Sequence, residues 1–538
     1  MTPTPTTPGP RPPGTPAPAH SVGGPASGSA VGGPASAHAV GGPAAWLVRT
    51  AGSGASRAGA DVADVASPAG GRAGPGSHGL RWEAGVVQSV VPPGTTDLGP
   101  GYLGPGLLPV DLLAEAYAEA MATYGAAALA YGDDRGALAL RTTLARRACG
   151  APEPRGSYAP RGSPAPGGFP EPGGFSAPGG FPAPGRFPEQ GGSSGASGSA
   201  ATGGSSGLGD NPGPGGSSGA GGSCGPDGVL ITAGTSQALH LLATTLARPG
   251  DAVLVEDSCY DLGRLILTDC GLRTYGVPGD ASGMDPQALD AALTRTRPAF
   301  VYLNPTFHNP TGRVVPLARR RELLAVARRH ATTIVEDDAY ADLRLDGGAG
   351  PPALACLDGH QGVIRLGTFS KSLAPGLRLG WLTAEPAMAD RLAVHGVLQS
   401  GGCPNHTTSL AVATLLERGH YDRHLLWLRE RLRERRDALV DALTARLDGG
   451  FALDRPAGGL FVWVRADRPE AGLLAAARRA GVLVAAGSRF TSAPGSTASR
   501  GRGAAGAVRL AYGLNTPDQL AAAAKRLAAA WNAIPPET

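Results

Sequence analysis

The stretch VIRLGTFSKSLAPGLRLGWLTA, residues 363–384, is the most informative part of the sequence. Its two ends, VIRL and LGWL, have the length and apolar character of short buried strands. The loop between them is rich in Gly, Ser and Pro, and it carries Lys371, one of only two lysines in the chain. Arginine, which supplies nearly all the other positive charge, cannot lose its proton and condense with an aldehyde, whereas a lysine amine can. Lys371 is therefore the first candidate for a chemical role. Lys525, in the Ala-rich helix pattern AAAAKRLAAAW, is predicted to be a surface charge.

Upstream of this stretch, short apolar runs alternate with helix patterns from residue 228 onward. The runs are VLIT, AVLVE, AFVYLNP and TTIVEDDAY. This alternation predicts an α/β domain with a mainly parallel sheet. The polar clusters AGTSQ, NPTFHNPTG, EDDAY and GTFSK each follow a strand. Since ligands of such sheets bind outside the carboxyl ends of the strands, we expect these clusters to form one site.

Two long segments have a composition that predicts disorder. Residues 1–80 consist mostly of Ala, Gly, Pro, Ser and Thr, and residues 151–227 contain a PGGF-like repeat with a six-residue period. Neither segment has enough apolar surface to offset the entropy of ordering it. The predicted organisation is a disordered N-terminus (1–80), an arm and helices (81–150), a disordered insertion (151–227), a large domain (228–400) and a small α+β domain (401–538).

Charge and cysteine usage exclude several classes of protein. The net charge is only +4, and the arginine-rich run at 429–436 is interspersed with glutamates, which is typical of a solvated, ion-paired helix face. We therefore expect no nucleic-acid partner. The six cysteines show no CxxC spacing, no apolar run reaches membrane-spanning length, and no secretory signal pattern is present at the start. Cys403 and His406 are too few for a metal site. We expect a cytoplasmic protein without a metal.

The segments GTFSKSLAPGLRLGW, HNPTG and EDDAY, in this order and separation, resemble the class I/II aminotransferases of fold type I. The nearest branch contains the aminoadipate and kynurenine aminotransferases and the aminotransferase-like domains of MocR-type regulators. The resemblance covers about residues 95–147 and 228–530. It implies a homodimer with shared active sites and the cofactor pyridoxal 5'-phosphate, whose chemistry needs an amine, a ring carboxylate, a donor to the ring oxygen, a phosphate site and a stacking face.

For the chemical groups that the cofactor requires, the resemblance indicates particular residues of this chain. Lys371 matches the lysine that condenses with the cofactor aldehyde and later moves the α-proton. Asp337 matches the carboxylate at the ring nitrogen, and strand alternation puts it on the opposite face from its two acidic neighbours. Tyr340 and Asn309 match donors to the ring oxygen, and Tyr260 matches the stacking aromatic residue.

The phosphate and the substrate have candidates as well. A glycine turn between a strand and a helix directs backbone N–H groups at an anion, and the expected phosphate ligands are Gly234, Thr235, Ser236, Thr368, Ser370, Arg378 and, from the neighbouring subunit, Tyr131. This chain has Thr-Ser where Ser-Gln is more usual, which weakens the assignment of Ser236. Arg509 matches the arginine that binds the substrate α-carboxylate through a bidentate fork, with Asn309 beside it. Gly99 and Gly101 match the loop that passes the same carboxylate.

The implied function is transfer of an amino group between an amino acid and a 2-oxo acid. Two alternatives stay open. One is a MocR-like ligand-sensing regulator, although residues 1–80 have too few aliphatic residues for the winged helix-turn-helix of those proteins. The other is a lyase, decarboxylase or racemase that uses the same cofactor. The amino donor cannot be chosen from the sequence, because so many arginines are candidates for an acidic side-chain pocket.

Deletion of residues 155–222 tests the predicted organisation. If this insertion contributes nothing to the fold, the shortened chain should retain most of whatever activity the full chain shows in an assay of the implied reaction. Loss of activity in a shortened chain that still folds would show that the insertion belongs to the functional unit.

Overall fold

The computed structural model describes residues 91–148, 225–491 and 506–536. The segment 1–80 and most of the segment 151–227, both predicted to be disordered, lie outside the described residues. Pro226–Gly228 form a 3-10 turn, so regular structure begins slightly before the predicted end of the insertion.

The described chain begins with an N-terminal part that contains two helices, in agreement with the helices predicted within residues 81–150. A two-residue strand, β1 (Thr96–Asp97), precedes helices α1 (Val110–Tyr124) and α2 (Leu138–Ala148). Apolar residues of both helices pack against strand residues and against a later helix, in a shared core that includes Leu140, Ile231 and Leu410. The N-terminal helices therefore belong to the body of the large domain.

Strands and helices then alternate as the apolar runs predicted. The elements are β2 (Val229–Thr232), α3 (Gly234–Leu246), β3 (Ala252–Glu256), α4 (Asp261–Asp269), β4 (Arg273–Val277), β5 (Gly279–Asp280), β6 (Gly283–Met284), α5 (Pro286–Thr296), β7 (Phe300–Leu303), α6 (Leu317–Arg329), β8 (Ile334–Asp337), α7 (Leu354–Asp358), β9 (Val363–Thr368) and β10 (Gly380–Thr383). Among the described residues, seven strands form one sheet in the order β2-β10-β9-β8-β7-β3-β4. Only β10 runs antiparallel to its neighbours. The predicted mainly parallel α/β fold is confirmed.

Alternate residues of the central strands face opposite sides of this sheet. Phe300 and Tyr302 of β7 belong to the core beneath α3 and α4, whereas Val301 and Leu303 belong to the core beneath α5 and α6. Both faces are therefore covered by helices, which explains why the strands are apolar throughout instead of alternating with polar residues.

The remainder of the chain adds a second, smaller sheet. Its elements are α8 (Pro386–Ala393), α9 (Gly396–Gln399), α10 (His406–Glu417), α11 (His420–Thr444), β11 (Phe451–Leu453), β12 (Phe461–Ala466), α12 (Glu470–Arg479), β13 (Val482–Leu483), β14 (Ala485–Ala486), β15 (Gly506–Ala511) and α13 (Pro517–Asn532). In the described part, β11, β12, β15 and β14 form a four-stranded antiparallel sheet, and β13 pairs with β1. The small domain is of the predicted α+β type.

Two helices that follow residue 401 contact the core of the large domain. Helix α10 packs in the core of the large domain, and α11 spans both cores, with Tyr421 and Leu425 in the first and Leu432 and Leu439 in the second. Helix α10 is buried along most of its length, so its apolar composition alone could not indicate which domain it joins.

The arginines of α11 match the predicted solvated, ion-paired face only in part: Arg431 pairs with Glu430 and Glu434, and Arg433 is exposed, but several are also held by the large domain. Arg429 and Arg433 donate to the backbone carbonyls of Asp342 and Leu345, and Arg436 is buried against Asp346. These side chains attach the helix to the segment that follows β8. In the described parts of the chain, no helix combines the length and the apolar character that crossing a bilayer requires.

Candidate active site

The carboxyl ends of β2, β3, β7, β8 and β9 meet at one edge of the large sheet, because these strands run in the same direction. The segments that follow them carry Gly234, Tyr260, Asn309, Tyr340 and Lys371. The structure thus brings together at one edge residues that are as far apart in the chain as Gly234 and Lys371. This edge is where an α/β sheet offers a ligand crevice.

Asp337 ends β8 with a carboxylate that is buried and only half satisfied. The Tyr302 hydroxyl donates to Oδ2 at 2.6 Å, while Oδ1 is buried and has no hydrogen-bond partner among the described residues. Burial raises the pKa of Asp337 to about 6, although the bond from Tyr302 acts in the opposite direction. Since unpaired buried acceptors are costly, Oδ1 is suited to a donor supplied by a ligand.

The two neighbouring carboxylates are engaged elsewhere. Glu336 accepts two backbone N–H bonds from the start of α7, at 2.8 and 3.0 Å, and lies 3.4 Å from Nη1 of the buried Arg320. Asp338 pairs through Oδ2 with Arg365 at 2.7 Å. Both side chains lie on the opposite face of the strand from Asp337 by the alternation of its residues. Oδ1 of Asp338 is likewise buried without a partner among the described residues, so Asp337 is distinguished by its face of the strand and by having no arginine partner there.

Lys371 follows β9 and extends its amine towards the N-terminal loop. Its Nζ donates to the carbonyl oxygen of Gly101 at 2.8 Å and lies 5.8 Å from the centroid of the Tyr340 ring. Burial lowers the pKa of Lys371 to about 8, and the positive charge of Arg509 acts in the same direction. The negative charge of Asp337 acts in the opposite direction and raises the pKa. The neutral amine, the form that can act as nucleophile or base, is therefore available close to neutral pH.

The first turn of α3 and the side chain of Arg378 form a site for an anion. Gly234 starts the helix with φ of +79°, and Arg378 donates from Nη2 to the carbonyl oxygen of Ala233 at 3.1 Å. A Cβ atom on Gly234 would lie 3.0 Å from that Nη2, so glycine allows the close approach of the guanidinium. The N–H groups of a first helical turn have no partner within the helix and attract negative charge. Thr235 is half-buried in this turn and Ser236 is exposed.

Thr368 and Ser370 lie beside this turn at the end of β9. The Thr368 hydroxyl is 3.0 Å from the Ser370 hydroxyl and 3.1 Å from the carbonyl oxygen of Leu379, and it accepts the Ser370 N–H. Thr368 therefore holds the loop in shape. Of these two predicted phosphate ligands, Ser370 has the hydroxyl with fewer hydrogen-bond partners.

Arg509 lies on the second sheet and reaches the same cleft. It donates from Nη1 to Oδ1 of Asn309 at 2.7 Å and from Nη2 to the carbonyl oxygen of Gly99 at 2.6 Å. The rings of Phe461 and Phe490 lie 4.2 and 4.6 Å from its guanidinium carbon. Burial lowers its pKa to about 10, which leaves the group cationic at neutral pH. A buried, oriented cation of this kind is suited to a carboxylate.

Two tyrosines complete the wall of the cleft. Tyr260 immediately precedes α4 and Tyr340 follows β8, buried to 5% exposure. Burial raises the pKa of Tyr260 to about 12 and that of Tyr340 further, and the nearby Asp337 adds to both effects. Both hydroxyl groups therefore remain protonated donors at neutral pH.

The remaining predicted residues lie outside this cleft. Tyr131 has a side chain 87% exposed. Cys403 and His406 do not form a pair: the thiol of Cys403 contacts the carbonyl oxygen of Ile231, and the His406 ring contacts that of Ala127. Within the described segments, no group of three histidine, cysteine or acidic side chains is arranged to hold a metal ion.

Two residues of the site were missed by the sequence analysis. Tyr302 binds the carboxylate of Asp337, and Asn304 donates from Nδ2 to the backbone carbonyl of Asp337 while its Oδ1 accepts the N–H of Asn309 at 2.8 Å. The sequence did indicate that these two residues act together, because Tyr302 and Asn304 are two positions apart at the end of a strand and so share a face. The sequence does not indicate, however, which strand lies beside β7.

The family model for "Aminotransferase class I and II" matches residues 223–527. The chain therefore belongs to this family. It is 38% identical over 245 residues to a 2-aminoadipate transaminase of Thermus thermophilus, a match that covers 44% of this chain and 60% of the relative. It is 35% identical over 240 residues to an uncharacterised HTH-type transcriptional regulator, YisV, of Bacillus subtilis, covering 44% of this chain and 49% of the relative. The chain thus spans about half the length of the curated relatives it matches.

A solved structure extends the comparison to most of the fold. The α-aminoadipate aminotransferase of Thermus thermophilus, complexed with N-(5'-phosphopyridoxyl)-L-leucine, superposes with a TM-score of 0.61. The match has 27% sequence identity and covers 81% of this chain and 92% of that one. The present structure thus has the fold of a fold type I aminotransferase.

The lowered pKa of Lys371 can be tested by amine labelling. With two lysines in the chain, peptide mass spectrometry can follow Lys371 separately. We expect its reaction with a small amine reagent in folded protein freed of small molecules to be half-maximal near pH 8. After unfolding in guanidinium, the midpoint should rise to about 10.4, the ordinary lysine value. A midpoint of about 10.4 in the folded protein would contradict the described burial.

Proposed function

We propose that this chain is a pyridoxal 5'-phosphate-dependent aminotransferase. The observation that carries the proposal is the presence, in one cleft, of both the Lys371 amine and the unpartnered Oδ1 of Asp337, two groups that interact electrostatically without a direct contact. A surface ion pair would have both groups solvated and satisfied. Here Asp337 is buried with one oxygen unpartnered, and the half-buried Lys371 uses one N–H on the carbonyl oxygen of Gly101 while its amine remains able to react with a ligand.

The residues of the cleft fit this cofactor. The unpartnered carboxylate oxygen suits a protonated ring nitrogen, the α3 turn with Arg378 suits a phosphate, and the two tyrosines suit an aromatic ring with a ring hydroxyl. The residues proposed to hold it are Gly234, Thr235, Ser236, Tyr260, Asn309, Asp337, Tyr340, Thr368, Ser370, Lys371 and Arg378. When bound, the cofactor supplies an electrophilic carbonyl and an electron-withdrawing ring.

The chain's own residues would bind substrate and move a proton. Arg509 would hold the α-carboxylate of an amino acid or a 2-oxo acid through its two Nη groups, with Asn309 and the Gly99–Gly101 loop beside it. Phe461 and Phe490 would keep water from the guanidinium, which strengthens the ion pair. Lys371, with its pKa of about 8, could accept a proton at Nζ and return it at nearly neutral pH.

The proposed assembly is a homodimer with shared sites. Tyr131 is 87% exposed in the single chain, so its ring is available to a second copy. Leu129, two residues earlier in the chain, is an apolar residue that is 72% exposed. A second copy that covers this surface would bury both side chains and would bring Tyr131 to the phosphate site of the other subunit.

A second candidate function is ligand sensing in a transcriptional regulator. It is favoured by the names of several relatives, among them YisV and the YjiR protein of Escherichia coli, which is 32% identical over 272 residues. In such a protein the cleft would bind the cofactor and an amino acid without turnover. Specific DNA binding by the purified chain, together with absence of turnover, would favour this function over the enzyme.

Spectroscopy with two lysine variants tests the proposal. Wild-type protein incubated with pyridoxal 5'-phosphate should acquire a visible absorption band, and an amino donor should convert the bound cofactor to its amine form. Lys371→Ala should lose the band and the turnover, because no other amine lies in the cleft of the described structure. Lys525→Ala, on α13, is the matched control and should keep both. An unchanged absorption band in Lys371→Ala would refute the assignment of this lysine. Release of pyruvate and ammonia from the amino donor by the wild-type protein would indicate a lyase instead.

Arg509→Ala tests the carboxylate site. Loss of two charge-assisted hydrogen bonds should raise KM for amino acids and lower kcat/KM by roughly a hundredfold. The affinity for the cofactor should change much less. Arg465→Ala, on the exposed side of the neighbouring strand, should behave like wild type in steady-state kinetics. Equal losses of cofactor and substrate affinity would argue against the assigned role.

A further inference from the structure

Tyr302 is a fully buried residue of β7 whose hydroxyl points at the functional carboxylate. Its exposure is 1%, and its hydroxyl oxygen lies 2.6 Å from Oδ2 of Asp337. Because β7 and β8 are parallel neighbours with Tyr302 opposite Val335, Asp337 lies two residues further along β8 on the same face. The tyrosine side chain is long enough to bridge that offset.

The surroundings leave the hydroxyl little freedom. A Cβ atom on Gly263 of α4 would lie 2.8 Å from the Tyr302 hydroxyl oxygen and 3.0 Å from Cδ1 of Tyr260. The glycine thus permits α4 to pack directly over the two tyrosines. On the other side, the Asn304 side chain donates from Nδ2 to the backbone carbonyl oxygen of Asp337 and so fixes the main chain at that residue. The carboxylate is therefore held both at its side chain and at its main chain by β7 and the residue that follows it.

We propose that Tyr302 is a positioning residue that occupies Oδ2 of Asp337, keeps this carboxylate ionised, and so reserves Oδ1 for the ring nitrogen of the cofactor. The inference rests on the proposed function and adds a residue to the same site. It assigns to Tyr302 no contact with substrate or cofactor. Its effect passes entirely through Asp337.

The electrostatic balance around Asp337 explains why this bond matters. The charged or titratable groups that interact electrostatically with Asp337 are Tyr260, Tyr302, Asp338, Tyr340 and Lys371, of which Asp338 acts from the opposite face of the strand. Burial and the charge of Asp338 favour the protonated acid, while Tyr302, a backbone N–H and Lys371 favour the carboxylate. With the pKa at about 6, the carboxylate outnumbers the acid by about tenfold at pH 7, a margin that one further unit of pKa would remove. Removing the tyrosine bond should raise the pKa further and protonate part of the population.

A purely structural role of the hydroxyl makes a different prediction. If Tyr302 only fills space and satisfies a buried acceptor, its loss would lower stability and weaken every ligand of the cleft equally. If it keeps Asp337 ionised, its loss should weaken only those ligands whose ring nitrogen can be protonated. A ligand pair that differs at this one atom separates the two roles.

The test measures binding to the full chain freed of cofactor. The two probes are pyridoxal 5'-phosphate and its 1-deaza analogue, in which carbon replaces the ring nitrogen. We expect wild type to prefer the natural cofactor, and we expect Tyr302→Phe to reduce that preference on the order of tenfold, which is typical for loss of a hydrogen bond to a charged group. Calorimetric or spectroscopic titration at about pH 7, where the carboxylate form should still predominate in wild type, gives both dissociation constants.

Two further variants complete the design. Tyr512→Phe removes an equally buried tyrosine hydroxyl, one that donates to the carbonyl oxygen of Gly459 at 2.7 Å, and it should leave the preference unchanged. If Tyr302→Phe does not fold, 3-fluorotyrosine introduced in place of Tyr302 decides instead. Its more acidic hydroxyl is a stronger donor, so in titrations at about pH 6, where Asp337 is about half protonated in wild type, the preference should rise above that of wild type.

The outcomes separate this inference from the proposed function. Wild-type protein that binds neither probe would overturn the proposed function. Wild-type protein that prefers the natural cofactor, together with a folded Tyr302→Phe variant that keeps the same preference, would overturn only the role of Tyr302. An unaltered preference in the fluorotyrosine protein would also overturn that role.

Discussion

The burial of the Asp337 carboxylate at the end of β8 is the constraint around which the site is built. An ionised group in a dry environment is stable only if its oxygens are satisfied. Tyr302 satisfies one oxygen and leaves the other open. The neighbouring acidic residues Glu336 and Asp338 are paired with arginines on other elements. The cleft therefore contains one acidic acceptor with a defined direction.

The same cleft depends on close approach between chain segments that are far apart in sequence. Gly101 lies against the ring of Phe461, where a Cβ atom would come within 2.4 Å of Cζ. This contact lets the N-terminal loop pass between Lys371 and Arg509. Lys371 donates to the carbonyl oxygen of Gly101, and Arg509 donates to that of Gly99. The loop thereby sets the spacing between the amine and the carboxylate-binding arginine. A larger residue in place of Gly101 would have to move either the loop or the phenylalanine.

Much of the fold was predictable because the periodicity is strong. The runs VLIT and AVLVE became β2 and β3 with the expected residues, and the polar segments after the strands lie at one edge of the sheet. Helix α10 was harder to assign, because a helix buried along most of its length shows no amphipathic pattern that names its partner. The arginines of α11 were expected to face solvent, yet Arg436 is buried against Asp346. Its partner lies 90 residues away in the chain.

The sequence by itself determined which kinds of side chain could carry the chemistry. A scarce lysine in a loop, a carboxylate on one face of a strand and a glycine before a helix follow from residue type and from the two-residue period of a strand. The tertiary structure alone decided which strand lies beside β8, and hence that Tyr302 and Asn304 hold Asp337. It also decided that Arg509 lies between Phe461 and Phe490 with its pKa lowered to about 10. The physical reason is that strand order and burial arise from contacts across the whole chain, which local pattern does not encode.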